Sequence, residues 1–254
     1  MSCIEIRQVR RTFKDKEKTK VALHDLSFTA RSGEVLSILG PNGAGKTTLI
    51  KILSGYLLQT SGEVYLDEKI IDKKMNIKKD IGVVFGGDNG FYNNATAYEN
   101  LKFFCNLSKI PQKEIKSEID RVLLLVGLKT SYNIKVNKFS RGMKQRLHIA
   151  RALIGNPKIL LLDEPTIGLD IEIVNELRKI ILDLKNKGHI IILTSHIMKD
   201  IECLSTKIII LLSGKKLFEG SIDDVFSMAQ NKTTKKIETL EEAYLILTTN
   251  EGNL

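Results

Sequence analysis

The 254-residue chain is 43% hydrophobic and 27% charged, values ordinary for one large globular domain, and it carries a formal charge of +9. No apolar run reaches the ~18 residues that cross a bilayer, MSCIEIRQVRR lacks a secretory core, and Cys3, Cys105 and Cys203 match no metal or disulfide spacing, so a cytosolic protein with reduced thiols is expected. The lysines are interleaved with acids, as in Lys14-Asp15-Lys16-Glu17-Lys18, and no stacking aromatics alternate with them; a solvated surface is expected, an anionic membrane face next, and no nucleic acid.

Residues 4–9, 24–30 and 34–39 predict short strands, with Ser32-Gly33 turning the second into the third. Phe13 falls on the connection after the first strand and, from the residue alone, reads as core rather than as a ring for a base to stack on. Glu34 to Leu53, EVLSILGPNGAGKTTLIKIL, then places G-x-x-x-x-G-K-[ST] between an apolar run and a helical one, which is the context a phosphate-binding loop requires. Gly40, Gly43 and Gly45 let consecutive N–H groups surround an anion, and the helix opening near Lys46 adds its positive dipole end. Lys46 is suited to β- and γ-phosphates, the Thr47 hydroxyl to Mg²⁺ and Thr48 to a phosphate oxygen.

Gly55 should stop that helix, 62–66 predicts a strand turned by Asp67-Glu68, and 68–80 a lysine-rich loop. A short strand at 81–85 runs into a glycine-rich hinge at 86–90. The period then becomes helical. Thr96 with Glu99 forms a capping box, Pro111 opens a second helix that Gly127 ends, and Ser140 caps a third that Gly155 ends. A helical lobe over about 95–155 thus interrupts an α/β body.

The body resumes with the apolar strand Ile159 to Leu162, which ends on Asp163 and Glu164. A helix over 171–187, a strand from His189 to Thr194, a short helix, a strand over 207–212, a hairpin at 213–215 and a last helix LEEAYLILT follow, with 231–236 a polar linker. Uniformly apolar strands alternating with helices indicate a parallel sheet covered on both faces. Carboxylates at the end of such a strand sit at the crevice where ligands bind. Asp163 is suited to Mg²⁺, and Glu164 to accepting a proton from water. His196 ends another strand at the same edge, within reach of a γ-phosphate. Ser140 and Gly142 form a second anion site at a helix start, for which a single chain offers no ligand.

These motifs, in this order and over nearly the whole chain, resemble the nucleotide-binding subunit of ATP-binding cassette (ABC) transporters. Gly40-Pro41-Asn42-Gly43-Ala44-Gly45-Lys46-Thr47-Thr48 is similar to the family's Walker A loop, and Ile159 to Glu164 to its Walker B strand with the catalytic glutamate. Phe139-Ser140-Arg141-Gly142-Met143 resembles the signature sequence, Gly168-Leu169-Asp170 the D-loop, His196 the switch histidine and Phe13 the aromatic that stacks on adenine. The resemblance implies a P-loop fold with a RecA-like mixed or parallel sheet, an N-terminal antiparallel β subdomain and an inserted helical lobe. It places the ATPase domain at 1–225, followed by a linker and helix at 226–254.

It further implies an ATP- and Mg²⁺-dependent ATPase that pairs head to tail as a homodimer or heterodimer. Lys46, Glu164 and His196 of one copy then face Ser140 and Gly142 of the other. The partner implied is an integral membrane permease at the inner face of the membrane, with export the expected direction. A soluble cassette acting off the membrane, or a subunit that binds ATP and hydrolyses it poorly, are the other readings. Two departures from the family stand out. Gly87 occupies the Q-loop glutamine position, leaving Asp88 or water to substitute, and Arg141 and Met143 replace glycine and glutamine in the signature.

Overall fold

The computed structural model describes residues 2–15, 18–71, 79–86 and 90–249. Two sheets organise the chain. The first is antiparallel, in the order β2-β1-β4-β5, from β1 (Cys3–Asp15), β2 (Lys18–Arg31), β4 (Ser61–Leu66) and β5 (Lys69–Ile70). The second runs β10-β9-β3-β8-β7-β6. It comprises β3 (Val35–Leu39), β6 (Ile81–Val84), β7 (Ile159–Asp163), β8 (Ile190–Ser195) and β9 (Lys207–Leu212), all parallel, with β10 (Lys215–Gly220) antiparallel at one edge.

The continuous apolar strands follow from burial on both faces. Leu36, Ile38, Leu161 and Ile192 pack towards α1 (Lys46–Leu53) and the antiparallel sheet. Their neighbours Leu39, Leu160, Leu162 and Leu193 pack the other way, into a core shared with the lobe helices α2 (Ala97–Leu107), α3 (Ile115–Leu125) and α4 (Arg141–Ala152) and with α5 (Ile171–Asn186). The Thr96–Glu99 capping box and the Ser140 cap form as expected, the latter by Met143 N donating to Ser140 Oγ at 3.2 Å.

Three expectations change. Phe13 lies within β1, opposite Lys20, because the β1–β2 ribbon extends well beyond residue 9 with bulges that interrupt its alternation. The second lobe helix begins with a 3₁₀ turn at Gln112–Glu114 before α3. An unforeseen helix, α7 (Ile222–Gln230), is opened by a Ser221–Asp224 capping box and runs across residue 225; α8 (Leu240–Thr249) packs on it. The Ser221-x-x-Asp224 pattern was the signal that could have revealed it. The Q-loop substitution at Gly87 and its neighbour Asp88 lie outside the described residues.

Candidate nucleotide site

The carboxyl ends of β3, β8 and β7 are adjacent in the parallel sheet, and each continues into a segment carrying one functional group. After β3 the chain turns through Gly40 to Gly45 into α1. Gly45 takes a left-handed φ of 105°, and a Cβ on Gly40 would meet the Leu211 carbonyl oxygen at 2.2 Å, so the loop's path against β9 excludes a side chain there. Lys46 is only 6% exposed. Its Nζ donates to the carbonyls of Gly40 at 2.7 Å and Pro41 at 3.3 Å and stands 3.7 Å from Glu164 Oε1. The ammonium is therefore already drawn back over the loop it serves, with a carboxylate across the cleft.

The end of β7 is fixed by β8. Asp163 sits opposite Thr194, whose hydroxyl donates to Asp163 Oδ1 at 2.6 Å, while Glu164 N donates back to the same hydroxyl at 3.0 Å. Glu164 adopts φ 52°, a left-handed conformation uncommon for a non-glycine residue, which turns its side chain out of the strand's course. Its Oε2 lies 2.7 Å from His196 Nδ1. Lys46, Glu164 and His196 thus form one connected set drawn from three strand ends.

That set is braced from behind by residues the sequence reading missed. Asp200, 2% exposed in α6 (Met198–Leu204), accepts from Arg178 Nε at 2.8 Å and Nη2 at 2.6 Å, and also receives the Thr166 hydroxyl. Ser195 Oγ lies 3.5 Å from Asp200 and accepts from Ile197 N at 3.0 Å. This buried network joins the segment after Glu164 to the segment bearing His196. Its one sequence trace is a charged residue, Arg178, on the apolar stripe Val174, Leu177, Ile181 and Leu184 of α5.

The cleft itself encloses about 470 Å³ and is lined by Phe13, Pro41, Asn42, Gly43, Thr47 and Thr48 together with Lys46, Glu164 and His196. Phe13 is 39% exposed, so it is not core; Arg11 lies over its ring at 4.5 Å, taking one π face. Ala44 is buried at the loop base. Ser140, Gly142 and Asp170 are absent from the lining. Arg141 donates Nη1 to the Gly168 carbonyl at 2.8 Å, which resolves its direction: it binds its own chain's loop. A Cβ on Gly142 would meet Ile173 at 2.4 Å, so α4 abuts α5 closely there. Asp170 precedes α5 as its N-cap residue.

Among the described residues no group of three His, Cys, Asp or Glu could cage a metal. Thr47, in the cleft lining, and Asp163, buried at the end of β7, carry oxygens of the type Mg²⁺ takes, commonly one or two from protein together with phosphate oxygens.

Comparison with known proteins gives a consistent result. The family profile described as ABC transporter matches residues 23–167. The chain is 37% identical over 230 residues to the ABC transporter ATP-binding protein NatA of Bacillus subtilis (strain 168), covering 90% of this chain and 94% of that protein. It is 35% identical to the methionine import ATP-binding protein MetN 1 of Staphylococcus aureus (strain USA300), over 98% of this chain and 76% of that one. Among solved structures, the dimeric post-hydrolysis state of the cassette MJ0796 bound to ADP and Pi superposes with a TM-score of 0.76 at 29% identity, over 86% and 98% of the two chains. CbiO1 of Clostridium perfringens, part of the transporter complex cbiONQ, gives 0.79 at 28%, over 90% and 93%.

Proposed function

Given that the chain belongs to the ABC transporter family, as an ATP-hydrolysing subunit that drives a separate permease, we propose that its ATP is held between two protomers arranged head to tail. Lys46 and the loop Gly40 to Thr48 of one copy hold the phosphates, Phe13 stacks on the adenine, and Ser140 and Gly142 of the other copy close over the γ-phosphate, with Asp170 beside the joint. The observation that carries this reading is the one-sided cleft. No residue of α4 lines it, while Ile167 and Ile171, 43% and 68% exposed, leave apolar surface on the segment after Glu164.

Glu164 is the general base, taking a proton from the attacking water. His196 holds the carboxylate through the 2.7 Å contact and stands at the cleft's rim, and Lys46 exchanges its carbonyl partners for phosphate oxygens. Thr47 and Asp163 would hold Mg²⁺, which would supply countercharge to the phosphate oxygens. Products then relax the closed pair, because the contacts across the joint run through the γ-phosphate.

The permease is proposed to dock on the lobe. Tyr92 and Phe103, 60% and 39% exposed, stack edge to face at 5.5 Å, and Leu107 is 64% exposed beside them. No helix among the described residues is long and apolar enough to cross a membrane. The proposed partner would hold the subunit peripherally at the inner face. Mixing tests the head-to-tail arrangement. Lys46→Ala chains combined with Ser140→Ala chains should recover turnover that neither gives alone, since each mixed pair contains one intact composite site. No recovery, despite pairing, would refute it.

A further inference from the structure

A second cleft, of about 450 Å³, lies at the amino ends of β7 and β8, the opposite end of the parallel strands from Lys46. Its lining draws on all three parts of the fold: Ser2 from the antiparallel layer, Arg121 from the helical lobe, and Lys158, Lys187 and His189 from the parallel layer. No acidic residue lines it. Two of the cations are fixed from outside. Arg121 gives Nε and Nη2 to Glu118 at 2.8 Å each, with Nη2 also on the Leu153 carbonyl, while its Nη1 has no hydrogen-bond partner among the described residues. Lys158 Nζ is held by Asp67 Oδ2 at 2.6 Å. Lys187 forms no ion pair among the described residues.

His189 is 8% exposed, and its Nδ1 lies 2.8 Å from the Pro157 carbonyl, an acceptor that fixes Nδ1 as the protonated nitrogen. Burial, and behind it the charges of Arg121 and Lys187, hold this ring's pKa below the ordinary histidine value against the Pro157 bond. Glu118 and Asp67 balance Arg121 and Lys158, so the excess positive charge of this concave surface comes from Lys187, with Arg121 Nη1 the remaining oriented donor, an arrangement suited to phosphate or carboxylate groups.

We propose that this cleft binds a small soluble polyanion, a diphosphate or a tricarboxylate, gripped by Arg121 on one side and by Lys187 on the other, with His189 taking up a proton at Nε2 to donate to it. Its occupant ties α3 to the parallel layer, and α3 packs against α4, the helix that presents Ser140.

The probe is inorganic pyrophosphate, added to the full-length Lys46→Ala chain so that the nucleotide cleft contributes least. The readout is the imidazole NMR signal of His189, assigned by its loss in His189→Gln. Pyrophosphate, and citrate in its place, should move this signal saturably and shift its titration to higher pH, because an adjacent anion favours the charged ring that burial now disfavours. Lys187→Ala, a change at an exposed residue, should weaken binding at least ~10-fold, about 1.4 kcal/mol. A non-saturating response reproduced by sodium chloride, or equal affinity in Lys187→Ala, would overturn the proposal. A response only to vesicles containing phosphatidylglycerol would overturn it too, by assigning the cleft to lipid.

Discussion

The loop around Lys46 and the start of α4 at Ser140 both face phosphate in the proposed assembly, yet the chain builds them by opposite means. At Lys46, charge is organised within the protomer: the ammonium has two carbonyls and a carboxylate, and that carboxylate has a histidine. At Ser140 the side chain is engaged in its own helix cap, and Gly142 and Arg141 fasten the helix to α5 and to Gly168. One half is an electrostatic device complete in itself. The other is a helix start positioned by packing, to which, in the proposed assembly, a second copy brings the ligand. The difference explains how chemistry can wait for pairing while ATP affinity need not.

The comparison is most exposed to failure on the Lys46 side. Glu164→Gln should cut turnover by ~10²–10⁴-fold, the ordinary contribution of a general base, and leave ATP binding intact with the pair held closed. Steady-state hydrolysis and gel filtration with ATP check it, and undiminished turnover would remove Glu164 from its role. Asp200→Ala strips Arg178 of its buried partner and should cost ~3–5 kcal/mol of unfolding free energy in urea. A loss below ~1 kcal/mol would mean that the brace behind Glu164 and His196 is dispensable. Lys46→Ala should weaken ATP binding to the isolated protomer by ~10–100-fold, the scale of ~1.5–3 kcal/mol for hydrogen bonds from a charged group.

Ser140→Ala sharpens the contrast from the other side. It removes a cap contributing ~0.5–2 kcal/mol, leaves protomer ATP affinity as it was, and weakens ATP-driven pairing. Calorimetry on the monomer and sedimentation with ATP separate the two effects.

The smallest effect concerns the lobe. Burial raises the pKa of Glu118, but Arg121 and the Gly155 N–H together overcome it and leave the carboxyl below its ordinary value of 4.5. A carboxyl with a lowered folded pKa contributes stability that is present above its unfolded pKa and is lost as pH falls through the folded one. Glu118→Gln should therefore lower stability at pH 7, with the gap to the parent chain closing below about pH 4.5. A gap independent of pH would assign the loss to packing.

What the sequence disclosed was whatever chemistry is local. Gly40 to Thr48, the Thr96–Glu99 and Ser140 caps and the apolar strand ending in Asp163-Glu164 are each written within a few neighbouring positions, and all fall where expected. The extent of β1 beyond Val9 was hidden because Gln8 adopts a left-handed conformation and charged residues crowd the ribbon, erasing its alternation. Arg178 and Asp200 were hidden for another reason: a pair 22 positions apart on two helices has no local pattern beyond one cation on an apolar stripe. Direction of transport is not written in these residues, since the same bond is cleaved whichever way a permease faces. MetN 1, an import protein by name, stands among the relatives beside NatA.

The most direct test of a site completed by a second copy is the ATPase rate per protomer as protein concentration is raised through the pairing range. The rate should climb steeply, close to quadratically in total activity at low concentration, and level off once pairs predominate. A rate per protomer that is constant across that range, with monomers shown to be present, would contradict the account.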